Sequence, residues 1–95
     1  MPFYVYIVKN RPKGTLYVGM TNDIARRVHE HRTKAVPGFS ARYNLRHLVF
    51  YETYPTAYEA IGREKAMKKW NRAWKIELIE KMNPEWRDLY DDLNA

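Results

Sequence analysis

The sequence predicts an α/β chain of the α+β type: a small three-stranded antiparallel sheet flanked by helices, in the order β-β-α-β-α-α. Two observations predict it. Residues 3–9 and 15–20 are strand-forming runs separated by a short loop, so they pair as a hairpin. Beyond them, helix-capping residues recur ahead of stretches with helical spacing, and one continuous apolar run interrupts the helices.

In the first strand Phe3, Val5 and Ile7 fall on one side and Tyr4, Tyr6 and Val8 on the other. Asn10-Arg11-Pro12-Lys13-Gly14 is a loop marked by Pro and Gly, and Thr15 to Met20 form the second strand. Thr21, Asn22 and Asp23 are N-cap candidates for a helix to about Arg32 or Lys34, whose narrow apolar stripe is Ile24, Ala25 and Val28. Residues 35–46 hold Pro37 and Gly38 and read as a loop, basic at Arg42 and Arg46. Leu48 to Tyr51, inside His47 to Tyr54, is a continuous apolar run and predicts a well-buried third strand.

Pro55 ends that strand, and Thr56-Ala57-Tyr58-Glu59 fits a capping box opening a helix to about Trp70. Asn71 caps the next helix, which carries Trp74, Ile76, Leu78 and Ile79. Asn83-Pro84 breaks it and opens a short last helix to Tyr90. Trp70, Trp74 and Trp86 read as core anchors. No repeat, linker or low-complexity segment divides the chain, so residues 1–95 form one domain.

The absence of cysteine excludes disulfides and cysteine-based metal sites and fits a reducing compartment. No apolar run approaches the roughly 20 residues a membrane span needs, and the N-terminus has no signal-peptide pattern, so a cytoplasmic protein is expected. Charge is unevenly spread. Residues 1–50 hold nine Lys or Arg against Asp23 and Glu30, whereas residues 51–95 hold eight against nine acids. Within the second half Arg63, Lys65, Lys68, Lys69, Arg72 and Lys75 cluster around Glu64, and Glu85, Asp88, Asp91 and Asp92 gather at the end. Basic patches of this kind attract phosphate backbones; a solvated surface explains the charge equally well.

Several side chains could carry chemistry. Tyr6 lies on the Tyr4 face of its strand and Tyr17 on the Thr15 and Gly19 face of the next, so the phenols share a sheet face if the hairpin register permits. A phenol beside a cation can donate a hydrogen bond or take a proton; strand tyrosines are also common without function. Gly19 allows close approach of a backbone or ligand. Arg27 and His31, four apart, lie on one helix face at the border of the apolar stripe, while Arg26, Glu30 and Lys34 point further toward solvent. Arg27 could hold a phosphate oxygen and His31 relay a proton; a surface cation and a solvated edge histidine are the plain readings. Glu64 falls among Ala57, Ala60, Ile61 and Met67 on the apolar side of its helix. A carboxylate there needs a partner, which a metal ion or Lys68 at i+4 would supply. His29 and His47 have no ligand spacing for zinc, and no phosphate-cradling glycine loop or Ser-His-Asp set is present.

Taken together these residues resemble the GIY-YIG nuclease family over roughly residues 3–83, in particular its small single-domain bacterial members. Tyr4-Val5-Tyr6 stands for Gly-Ile-Tyr and Tyr17-Val18-Gly19 for Tyr-Ile-Gly. Arg27 matches the family's helix arginine, His31 a position where several members carry histidine, and Glu64 in Arg63-Glu64-Lys65 the metal-binding glutamate. The block from Arg63 to Trp70, followed by Asn83-Pro84-Glu85-Trp86, also matches the small members, and Asn83 aligns with a distal asparagine. Tyr4 departs from the first glycine, and Met20 stands where some repair-type members have lysine.

The resemblance implies a catalytic core at 3–83 with a short acidic extension at 84–95. It implies a Mg²⁺- or Mn²⁺-dependent endonuclease that hydrolyses DNA, with repair or recombination intermediates as one substrate class and RNA not excluded. Its catalytic residues would be Tyr6, Tyr17, Arg27, His31 and Glu64, with Glu64 also the metal ligand. Gly19, Arg42, Lys68 and Lys69 would meet the substrate. Specificity would come from nucleic-acid shape, a homodimer or a protein partner. Two rivals remain: a non-catalytic nucleic-acid-binding module on the same basic surface, and a protein-interaction domain using the acidic stretch Asp88 to Asp92.

Overall fold

The structure, a computed structural model, describes residues 2–10, 14–33 and 46–94. The expected loops lie largely outside the described residues, and with them Lys34 and Arg42. The elements are β1 (Phe3–Lys9), β2 (Leu16–Thr21), α1 (Ile24–Thr33), β3 (His47–Tyr54), α2 (Ala57–Lys69), α3 (Arg72–Met82) and a 3₁₀ turn, Asp91–Asn94. The predicted order and the antiparallel sheet are as expected.

The strands lie in the order β2-β1-β3, so the first strand is the middle one. This is why β1 is apolar in both phases of its alternation: Val5, Tyr6, Ile7 and Val8 are all buried. Val5 and Ile7 face one core with Val18, Phe50, and Ala60 and Met67 of α2 and Ile79 of α3. Tyr6 and Val8 face the other with Leu48 and with Ile24 and Val28 of α1. Thus α1 covers one face of the sheet, and α2 and α3 the other.

The continuous run in β3 has a specific cause. Ile7 pairs with Phe50 but Val8 with Leu48, so Val49 is an extra residue in the ladder. The bulge turns Val49 onto the same core as Phe50, so Leu48, Val49 and Phe50 are buried in succession.

The helices start where the sequence marks them. Asp23 accepts from the Arg26 N–H at 3.2 Å, Thr56 from the Glu59 N–H at 3.3 Å and Asn71 from the Trp74 N–H at 2.9 Å. The Thr56 hydroxyl also donates to the Glu59 carboxylate, 3.1 Å away.

Two expectations are corrected. No helix runs from Pro84 to Tyr90. Asn83 is buried, accepts the Arg87 N–H at 2.9 Å and donates through Nδ2 to the carbonyls of Val49 and Arg87. These bonds wrap the chain around Asn83, and Trp86 takes a left-handed φ of 57° that a helix cannot continue through. Trp86 still packs on the Val5 core, its indole N–H donating to Glu80. Trp74 is not a core anchor: it is 57% exposed and rests edge-on against Trp70. Ile79 is the fully buried residue of α3, and Trp74, five positions earlier, lies about 140° around the helix from it.

After Asn83 the chain returns along the outer edge of β3. Leu89 N–H donates to Leu48 O at 2.7 Å, and Asp88 accepts from Leu48 N–H at 3.2 Å and from Tyr90 N–H at 3.0 Å. Arg32 and His47 also meet Asp88, at 2.6 and 3.3 Å. Leu89, Tyr90 and Leu93 then close the Tyr6 core beside α1.

Candidate active site

The site begins at the centre of the sheet. Tyr6 pairs with Gly19, and Tyr17, two residues before Gly19, pairs with Val8. The register therefore puts both phenols on the α1 face, a point that alternation alone leaves open. A Cβ built on Gly19 would lie 2.4 Å from the Tyr6 hydroxyl oxygen and 2.5 Å from its Cζ. The space at Gly19 is filled by the Tyr6 ring, which crosses β2 there. No side chain fits between them, which gives this glycine an internal reason beside any approach of a ligand.

The hydroxyl of Tyr6 meets two residues of α1. It is 3.0 Å from His31 Nε2, and Arg27 donates to it through Nε at 3.4 Å. Ile24 and Val28 anchor α1 on the sheet, and Arg27 and His31 flank Val28 on that helix. His31 is not a border residue: it is 2% exposed, its ring between those of Tyr6 and Tyr17, with centroids 5.7 Å from each. Glu30 also departs from its expected outward direction. It turns back to Arg27, with Oε1 3.2 Å from Nη1.

Burial dominates the electrostatics. It raises the Tyr6 phenol to about 12; Arg27 opposes the rise, and Tyr17 and Glu64 add to it. Burial lowers His31 to about 4, with the nearby Arg27 charge acting in the same direction. Near neutrality the pair is thus a phenol and a neutral imidazole. Arg27 N–H donates to the Tyr6 oxygen, and the phenol donates its own proton to His31 Nε2 in the tautomer that carries the ring proton on Nδ1. His31 Nδ1 is buried without a hydrogen-bond partner among the described residues.

Glu64 enters from the other layer. Ala60, Glu64 and Met67 follow one another at helical spacing on the inner side of α2, while Ile61 is 39% exposed and faces away from it. Helix α2 packs along β2, an edge strand, so this carboxylate lies near the rim of the sheet; its charge acts on Tyr6. Lys68 Nζ lies 3.7 Å from Glu64 Oε1 and 5.6 Å from the centroid of the Tyr17 ring. The pairing anticipated as the plain alternative is therefore present, at a long separation. Lys69 is exposed on the last turn of α2 and makes no hydrogen bond or ion pair to the cluster.

Among the described residues no group of three or more His, Asp or Glu is placed to hold a metal ion. Glu64 is the carboxylate that could hold one: its side chain is 22% exposed and it offers hard oxygen donors. No described helix is long and apolar enough to cross a membrane. The residue missed by sequence reasoning is Glu30. Its signal was its spacing, three after Arg27 and four after Arg26, both of which it meets.

The model of the GIY-YIG catalytic domain matches residues 2–77. The chain is 36% identical over 77 residues to UPF0213 proteins of Staphylococcus aureus strains Mu3 and MW2, covering 81% of this chain and 93% of each relative. The solution NMR structure of the UPF0213 protein BH0048 from Bacillus halodurans superimposes with a TM-score of 0.56 at 29% identity, covering 93% of both chains. With its antiparallel sheet, paired tyrosines and helix glutamate, the chain belongs to the GIY-YIG catalytic domain family. That domain belongs to the endonuclease superfamily, whose nucleases generally use divalent metal ions and act on nucleic acid.

Proposed function

We propose that this protein is a Mg²⁺- or Mn²⁺-dependent endonuclease that hydrolyses DNA phosphodiester bonds, with repair or recombination intermediates as its substrate class. The observation that carries the reading is the Tyr6 hydroxyl held between Arg27 Nε and His31 Nε2. A hydrogen-bonded phenol with a cation on one side and a neutral imidazole on the other can accept a proton from water while passing its own inward.

The residues then divide the work. Tyr6 takes the proton of the attacking water as its own moves to His31 Nε2. Arg27 holds the phenol oxygen, which stays neutral as it gains one proton and gives up the other, and through its free edge steadies the charge on a non-bridging phosphate oxygen. Tyr17, packed against His31, helps to exclude bulk water and to orient the attacking one. Glu64 would hold the metal ion with water completing its shell, a donor set suited to a hydrated hard cation. Bound there, the ion would neutralise charge on the scissile phosphate and on the leaving oxygen. Lys68 releases Glu64 and moves to the phosphate backbone, with Lys69 and Arg42 as further phosphate contacts.

The second reading, a binding module without cleavage, is favoured by one observation: Lys68 already pairs with Glu64. A panel of duplex, nicked, branched and single-stranded DNA, incubated with Mg²⁺ or Mn²⁺, separates the two. Cleavage by the wild type that is lost in Glu64→Ala, with binding retained, supports the nuclease. Salt-sensitive binding with no cut under either metal supports the module.

A further inference from the structure

Arg27 is useful to the site only if its guanidinium stays in one orientation, and α1 supplies a device for that. Two sides of the group are occupied. Nε–H points at the Tyr6 oxygen, 3.4 Å away, and Nη1–H at Glu30 Oε1, 3.2 Å away. Among the described residues Nη2 takes no hydrogen bond. The other oxygen of Glu30, Oε2, is 3.5 Å from Arg26 Nε, so the carboxylate is itself held from its far side. Glu30 is partly covered, with a side chain 23% exposed, whereas Arg26 is 76% exposed.

We infer that Glu30 is a positioning residue: it fixes the Arg27 guanidinium on the Tyr6 hydroxyl and turns Nη2 toward the phosphate. The inference rests on the nuclease reading for its catalytic meaning and names a residue that reading does not use. The physical case is one of competing orientations. An arginine side chain half in water has several rotamers of similar energy, and its long contact to a phenol would not select one. A carboxylate one turn along the same helix does select one, since Glu30 and Arg27 are tied to the same rigid backbone. Glu30 also sits beside adjacent arginines and lowers the repulsion between them. An exposed surface ion pair would do none of this, because either partner could be lost without consequence for Tyr6.

The test uses the full chain, with Glu30→Gln, Glu30→Ala, Arg27→Ala and the double variant Arg27→Ala/Glu30→Ala. The first measurement is independent of cleavage: the ¹⁵N NMR signal of Arg27 Nε–H and its exchange with water. It should be protected in the wild type and in Glu30→Gln, whose amide oxygen still accepts from Nη1, and exchange faster in Glu30→Ala. The second is kcat and KM on whichever DNA the wild type cuts. Glu30→Ala should lose about 10- to 100-fold in kcat with little change in KM, and Glu30→Gln should recover most of the loss. The double variant should be no slower than Arg27→Ala alone, since Glu30 acts through Arg27. Losses that multiply in the double variant, or an Arg27 signal indifferent to Glu30→Ala, would overturn the inference. A wild type that cuts nothing removes the nuclease reading and the catalytic role of Glu30 with it. The NMR comparison would then still decide whether Glu30 holds Arg27.

Discussion

The hydroxyl of Tyr6 and Nε2 of His31 lie 3.0 Å apart in the buried space between the central strand and α1. Burial favours the neutral form of each partner: the phenol is raised to about 12 and the imidazole lowered to about 4. Across the neutral range the pair is therefore a protonated phenol beside a neutral imidazole.

One expected outcome concerns pH. In the unfolded chain His31 titrates near its ordinary 6.5, so below that value the unfolded state binds a proton that the fold does not. Stability is complete above pH 6.5 and declines as pH falls toward 4, by roughly 3 kcal/mol in all for this group. Urea midpoints measured between pH 7 and 4 should fall for the wild type and fall less for His31→Gln. Equal slopes would mean that His31 is not held neutral. The cleavage rate should likewise show no inflection from His31 between pH 5 and 8.

Gly19→Ala should damage the site by a steric route. The new methyl would stand 2.4 Å from the Tyr6 oxygen, so the ring must leave its place across β2. The expected cost is about 1–3 kcal/mol of stability and the loss of most cleavage. In a Tyr6→Ala background the same change should cost little, and a thermal melt of the four combinations would show it. Equal costs in both backgrounds would break the link between these residues.

The metal role proposed for Glu64 sets an ion in competition with Lys68, whose Nζ is 3.7 Å from Glu64 Oε1. Lys68→Ala should lower the Mn²⁺ concentration needed for half-maximal cleavage a few-fold, as expected for removal of a partly exposed ion pair worth about 0.2–1 kcal/mol. It should also weaken DNA binding. Glu64→Ala should abolish the metal response at every concentration. A metal requirement unchanged by Lys68→Ala would exclude the competition.

Asp88→Ala should destabilise the fold. Burial works against this carboxylate, but the N–H of Tyr90, the guanidinium of Arg32 and the N–H of Leu48 outweigh it and hold its pKa below the usual range. Removing it leaves those donors without their acceptor, at a cost of about 2–4 kcal/mol. The melting temperature at pH 7 checks this, and the gap between wild type and variant should narrow in acid. The sign follows from the lowered pKa: the contribution is present above the ordinary carboxylate range and lost as pH falls through the folded value.

The sequence carried most of the fold because its local signals agreed. Thr56 and Asn71 cap where expected, and the alternation from Phe3 to Lys9 is real. It could not reveal that β1 is central, since a strand buried on both faces and an edge strand rich in tyrosine read alike. The grouping of Tyr6, Tyr17, Arg27 and His31 depended on a hairpin register that spacing leaves open and the Tyr6–Gly19 pair fixes. The burial of His31 was hidden by its place beside the stripe, because the residues that cover it come from the hairpin. The segment after Asn83 misled for another reason. Asn-Pro is a fair helix opening, but the side chain of Asn83 is spent on Val49 and Arg87.

The two cores on either side of the sheet give the site a divided construction. Tyr6 and the imidazole answer to the packing of Ile24 and Val28, whereas the carboxylate of Glu64 answers to that of Ala60 and Met67. Strand β2 is the seam between them. A small change in how α2 seats on the sheet would carry Glu64 along the rim while the phenol and imidazole stayed where they are. In the proposed nuclease, metal affinity and proton transfer would therefore drift separately, each tuned from its own side of one thin sheet.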